Sequence, residues 1–371
     1  MHGIWWELPG PATFTSLMID SLRQGKSVVV GFPENYPPGL RQAVASLVSR
    51  DGQWHWRAIR LRDENEAHSP ARVLARRFSH KLQGGHTTAA AIAGMEELSG
   101  CIVWIDDMTE ELWPYWKSFL SEFALACRTL DSDYLPSLCV PVVGSVSNEL
   151  PAREPNLDSR RWRGCVSRLD MLILISRLLE ARRMPNLHRQ IALAVSLELS
   201  AFDPLLAERL CESELEELIE PADLLREYAR SKDWLDPIES NWALGTLDTM
   251  DGREIVHSAA LSISGDERAV IRRVWRGQVG VLFPFIEEQR VRLLSELSSH
   301  LRLPMETDFG VLKDPLDLEI GHIFHQVRRV GLRKETRELL RLLKDMRHAL
   351  AHLRPVAFSA LSAKEVIRAS G

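Results

Sequence analysis

Residues 342–355 read LLKDMRHALAHLRP, and how this stretch is read decides the C-terminal part of the chain. Leu339, Leu340, Leu342, Leu343, Met346, Leu350 and Leu353 recur at helical spacing and Pro355 stops the run, which predicts the last helix of a domain with one polar face. Outside the apolar stripe lie Arg347, His348 and His352. Five steps along an α-helix turn through about 500°, so Arg347 and His352 leave an ideal helix about 140° apart. One chain therefore presents the two poorly to a common ligand. A pair of facing helices, or unwinding of the last turn before Pro355, would bring them to one cleft. Asp345, His348 and His352, at i, i+3 and i+7, share a face.

These residue types carry a recognisable chemistry. Cleaving RNA by attack of its own 2′-hydroxyl needs a group that exchanges protons near neutral pH and a cation that holds the phosphate charge. His352 fits the first role and Arg347 the second, with His348 as a neighbour that orients. Two other readings stay open. His348 with His352, and His322 with His325, are spaced to ligate zinc, although neither pair has an H-E-x-x-H motif or a cysteine near it, and no metal is expected. A solvated basic face at a helix C-terminus, favoured by the dipole, is the bland alternative.

Arg347-His348-Ala349-Leu350-Ala351-His352 fits the pattern Arg-(Asn/His/Asp)-x-x-x-His and resembles the signature of HEPN domains. Leu318-Glu319-Ile320-Gly321-His322 also looks like a segment of such bundles. The resemblance implies a four- or five-helix bundle that pairs with a second copy and, in active members, cuts RNA without a metal. Other members bind or scaffold instead.

The rest of the chain reads as strands alternating with helices, then as helices alone. Ser27 to Pro33 is an apolar strand ending in a loop, GFPENYPPG, followed by a helix from about Gly39 to Ser49. Strand, loop and helix in this order are the frame of a P-loop, yet the loop lacks the Lys-Ser/Thr ending that reaches phosphates. Its prolines 33, 37 and 38 also remove backbone donors that a phosphate nest requires. Gly25-Lys26-Ser27 lies before the strand, where its lysine is misplaced. Trp54 to Leu61 alternates like a strand near an edge; helical patterns follow at about Pro70 to Leu82 and Thr88 to Leu98. Cys101 to Asp107 is an apolar strand ending in Asp106 and Asp107, then comes a helix from about Glu110 to Leu130, broken or kinked near Pro114. Leu138 to Gly144 is the next strand, and Ser147 to Arg160 reads as a loop.

This alternation predicts an α/β three-layer domain with an open parallel sheet and helices on both faces. The first 150 residues or so resemble a P-loop ATPase of the AAA/STAND type whose first motif has decayed. That resemblance makes Asp106 and Asp107 the degenerate counterpart of a magnesium and water site; capping the strand or binding a partner is the equal alternative. No cofactor is expected. Beyond it, helices over Asp170–Arg183, Leu187–Leu199, Asp203–Cys211 and Glu214–Arg230 resemble a helical lid, and residues 232–265 read as a connector. From Asp266 one helix runs to Pro284 and another from Phe285 to Leu301, the most basic pair in the chain, with Leu316–Val330 and Lys334–Leu353 completing a bundle.

Composition sets the limits. The 371 residues are 45% hydrophobic and 26% charged with net charge -5, an ordinary globular balance in which nucleic acid would have to meet a local basic patch. No long patch is visible. Five widely spaced cysteines read as buried free thiols, and seven of the eleven tryptophans cluster in the first third as core. Neither a leader nor an apolar run near 18 residues is seen, so a cytoplasmic chain without a membrane partner is expected.

The expectation is an α/β P-loop-like domain over 1–155, an all-α lid over 156–235 and an all-α HEPN-like bundle over 236–371. Its function would be an inactive STAND-like sensor or scaffold joined to a metal-independent ribonuclease, in a bacterial antiviral or conflict system with other protein components and RNA as partners. The unit would be a homodimer through the bundle. The alternative is a non-enzymatic adaptor in which Arg347 and His352 stabilise the bundle. An active ATPase is disfavoured by the missing lysine.

Overall fold

The computed structural model describes residues 2–34, 38–50, 52–78, 87–130, 134–235, 238–307 and 310–371. The chain divides into two compact units, residues 1–170 with 239–257, and residues 171–238 with 258–371.

The first unit is built on five parallel strands, β1 (Ser27–Phe32), β2 (His55–Arg60), β3 (Cys101–Asp106), β4 (Ser137–Val143) and β5 (Leu157–Arg161). Their order is β2-β3-β4-β1-β5. β1 is buried along its whole length, as an apolar run in a parallel sheet covered on both faces should be. Val29, Val103, Ile105 and Val140 pack on Leu74, Ile92, Trp116 and Leu120. Phe32 meets Phe14 of the Pro9–Arg23 helix, ring centroids 6.0 Å apart. β2 lies at the edge and exposes most of its residues.

Several local readings needed revision. β5 falls in the stretch read as a loop, because its sequence LDSRR carries one apolar residue and polar groups that bond inward. Asp158, buried, accepts from Ser21 Oγ at 2.9 Å and pairs with Arg160 at 2.7 Å. The helix expected over 110–130 spans Trp113–Cys127 with Pro114 in its first turn, where a missing N–H costs nothing, so the proline starts the helix instead of kinking it. The 88–98 helix is only Ala89–Ala93 before Gly94. The end of the 70–82 helix lies partly outside the described residues, as do Asn35, Tyr36 and Pro37 of the GFPENYPPG loop.

Residues of the expected connector return to the first unit as a hairpin, Leu247–Met250 with Arg253–Val256. Asp248 in it is 3% exposed. Its carboxylate accepts from the N–H groups of Gly164 at 3.0 Å and Thr249 at 2.6 Å, yet burial outweighs these bonds and pushes its pKa up to about 6.

In the second unit, helices expected for the lid and for the bundle share one compact body. The Asn186–Ser200 helix packs against a 30-residue helix, Glu267–Glu296. A Cβ on Gly277 would sit 2.7 Å from Val195 Cα and 2.8 Å from its N, so the lack of a side chain sets how closely the two backbones approach. The long helix runs through Pro284 without a break, contrary to the expected stop. Leu282, Phe285, Ile286 and Leu293 are buried on both sides of it, and continuous burial offsets the one backbone bond that proline removes. The acidic 214–230 stretch splits at Pro221 into Leu215–Ile219 and Ala222–Ser231.

The described cysteines are free; Cys101, Cys127, Cys139 and Cys211 are buried and Cys165 is half-buried. Among the described residues no helix is long and apolar enough to cross a membrane.

Candidate functional site

The C-terminal site sits on the Lys334–Ala351 helix, whose buried face is Leu340, Leu342, Leu343, Met346 and Leu350. The helix ends at Ala351, His352 is its cap, and Leu353 takes φ 57°. Arg354 N–H then reaches back to the carbonyl of Ala349 at 2.9 Å. The long Glu267–Glu296 helix pins this turn from below. Trp275 Nε1 donates to the Leu350 carbonyl at 2.8 Å, and buried Gln278 brackets Val356, donating to its carbonyl at 2.9 Å and accepting from its N–H at 2.6 Å.

On that fixed turn His348 and His352 are both exposed, with ring centroids 4.4 Å apart. Arg347 points elsewhere, as the angular argument requires. Its Nη2 lies 2.8 Å from Glu319 Oε1, the side chains being 31% and 52% exposed respectively. Glu319 is the N-cap of the Ile320–Val327 helix in a capping box with His322. It is held there because Arg290 donates to the carbonyls of Leu316 and Leu318 at 2.9 and 3.1 Å. The structure therefore brings the two histidines together and turns the arginine to a carboxylate. Asp345 pairs with Arg341 at 3.1 Å and Lys344 at 3.3 Å, so its carboxylate is engaged along its own helix. Among the described residues no group of three His, Cys, Asp or Glu side chains is placed to hold a metal ion.

Glu319 was not foreseen as the partner of Arg347. The signal was present as an acid at a helix start, but nothing in the sequence said which cation it faced. The basic 266–301 stretch is split: Arg268, Arg272, Arg276 and Arg292 are exposed, while Arg273 and Arg290 are half-buried. Burial pulls the Arg273 guanidinium down to about 10, and Arg290 and Arg292 pair with Glu287 and Glu296.

The second candidate is the C-terminal edge of the sheet in the first unit. Asp106 ends β3, where Arg41 of the Leu40–Ser49 helix pairs with it at 2.8 Å and Trp104 Nε1 donates to it at 2.6 Å. Asp107, with φ 62°, pairs with Arg62 at 3.2 Å. Two guanidiniums thus occupy the acids. After β1, Glu34 N–H donates to the Ala243 carbonyl at 2.9 Å. Glu34 also fills the space over Gly144, where a Cβ would meet its Cγ at 3.0 Å. A carboxylate beside this loop repels phosphate.

No protein-family model matches the chain, and no curated protein is similar to it in sequence.

Proposed function

We propose that the chain is a HEPN-type ribonuclease carried on a P-loop-like α/β scaffold that does not hydrolyse nucleotide. The observation that carries this reading is the exposed His348–His352 pair on a helix end pinned by Trp275 and Gln278. A proton-transfer group must be reachable by substrate and carried on a fixed backbone, and the exposure of the pair and the anchored turn support both. His352 exchanges the proton with the 2′-hydroxyl or the leaving oxygen, His348 orients it, and Arg347 holds the phosphate. The wide angle between Arg347 and His352 favours a composite cleft across a homodimer of the helical part. A lid-like role for the 171–238 helices, a STAND-like sensing role for the sheet and a place in bacterial antiviral conflict with other protein components rest on the sequence resemblance alone.

At the sheet edge, Arg41 and Arg62 neutralise Asp106 and Asp107. This supports a scaffold in which side-chain cations stand where a nucleotide-bound metal would otherwise be drawn.

One observation favours the adaptor reading: Arg347 already has a partner in Glu319. The test is cleavage of one labelled single-stranded RNA, in chelator, by wild type and by His352→Ala. Loss of cleavage in the variant with retained folding supports the nuclease, and equal cleavage by both rejects it.

A further inference from the structure

A cleft of 530 Å³ opens in the second unit between residues 300–305 and the end of the Ile320–Val327 helix. His300, Arg302, His325, Arg328 and Arg329 line it, and among the described residues no carboxylate does. None of its three arginines has an acidic partner among the described residues. Arg226, Arg290, Arg292, Arg341 and Arg347 of this unit are each paired to a carboxylate, while Arg268, Arg272 and Arg276 pair with none among the described residues, so what marks this cleft is the convergence of three arginines and two histidines on one concave surface. Cations at a helix C-terminus complement its dipole, which accounts for Arg328 and Arg329. It does not account for His300 and Arg302, which come from a different segment to the same cleft.

The two walls are tied together. Gln326 accepts from Arg302 N–H at 2.7 Å and donates to the Arg302 carbonyl at 3.3 Å. Gln326 thereby holds the Arg302 backbone against the end of the Ile320–Val327 helix, so that cations of both segments meet in one concave surface that focuses their field and attracts an anion. In a chain of net charge -5, this local concentration of cations, without an acidic partner among the described residues, is a basic patch that a linear reading could not see.

We infer that this cleft is a phosphate-binding subsite for the backbone of the RNA strand cut at His352, an inference that rests on the ribonuclease reading. Its position fits. Arg337 donates to the carbonyl of Val330, at the rim of the cleft, at 2.9 Å, and ten residues along the same helix, about 15 Å, lies Arg347. That span is about four nucleotides of a stacked strand at about 3.4 Å each.

The experiment is anisotropy titration of a labelled 12-nucleotide RNA against the full chain at several salt concentrations. The RNA is 2′-O-methylated and so lacks the attacking hydroxyl, and the proteins are wild type, Arg230→Gln, Arg302→Gln/Arg329→Gln and Arg328→Gln/Arg329→Gln. Removing two phosphate contacts should lower the salt slope by about 1.4 and weaken binding about 25-fold at 0.1 M salt relative to 1 M, while Arg230→Gln, an exposed arginine outside the cleft, binds as wild type does. Unchanged affinity and slope in both double-arginine variants overturn the subsite. Failure of wild type to bind RNA, with inorganic polyphosphate bound by wild type and lost in the variants, keeps the anion site and rejects RNA as its ligand. Binding of neither overturns both. Displacement of RNA by polyglutamate as readily as by polyphosphate rejects a phosphate site in favour of an acidic peptide.

Discussion

Replacing Glu319 by glutamine separates the two readings of Arg347. The change removes the charge that faces Arg347 across 2.8 Å but keeps a side-chain oxygen able to cap the Ile320–Val327 helix, so the local fold should survive. With the partners 31% and 52% exposed, the pair is of the solvent-screened kind, contributing about 0.2–1 kcal/mol. That is a factor of about 1.4 to 5 in an equilibrium, small enough for an RNA phosphate to displace the carboxylate. If Arg347 is the phosphate-holding cation, Glu319→Gln should raise RNA affinity or single-turnover cleavage by up to about fivefold, and Arg347→Ala should lower both. In the Arg347→Ala background the glutamine should have no effect. Equal losses of stability in the two single variants, with RNA binding unchanged in both, would refute the release argument and assign the pair a purely structural role.

Three further outcomes follow from other parts of the molecule. Calorimetric titration with ATP and magnesium should show no micromolar binding and no hydrolysis, since Glu34 and the Arg41–Asp106 pair oppose a phosphate and its metal; micromolar binding rejects the scaffold reading. For Asp248, raised by burial from 3.8 to about 6, the protonated form is favoured in the fold. Its contribution to stability is therefore present below about pH 4 and lost as pH rises through 6, a difference of about 3 kcal/mol. Asp248→Asn, which keeps the accepting oxygen, should flatten the pH dependence of thermal unfolding between 4 and 6 and stabilise the chain at pH 7.5; an unchanged profile contradicts this. Gly277→Ala puts a Cβ against the Val195 backbone and should destabilise the helical unit by about 1–3 kcal/mol in denaturant titration, where a neutral result would mean that the two helices separate freely.

What could be read from the chain followed where burial is simple. The apolar runs of β1, β3 and β4 announced themselves, and so did the helix over Lys334–Ala351, because period and polarity agree there. β5 was hidden because Asp158 and Arg160 satisfy each other inside, so polarity did not mark a loop. Pro284 misled because the penalty for proline is local while the burial that offsets it extends along a 30-residue helix. Helices expected to form a separate lid and bundle pack together through Gly277 and Val195, a contact 82 residues apart that no local pattern encodes. The pairing of Arg347 with Glu319 and the assembly of Arg302 with Arg328 and Arg329 are likewise products of tertiary placement.

End-group analysis of the RNA products, in chelator, bears most directly on the chemistry assigned to His348, His352 and Arg347. Attack by the 2′-hydroxyl leaves a 2′,3′-cyclic phosphate and a free 5′-hydroxyl. Wild type should give these ends, and His352→Ala should give them about 10²- to 10⁴-fold more slowly, the usual effect of losing a positioned acid/base group. Products with 5′-phosphate ends that form only when metal is added, or the same cyclic ends at the same rate from the His352→Ala/Arg347→Ala variant, would contradict it.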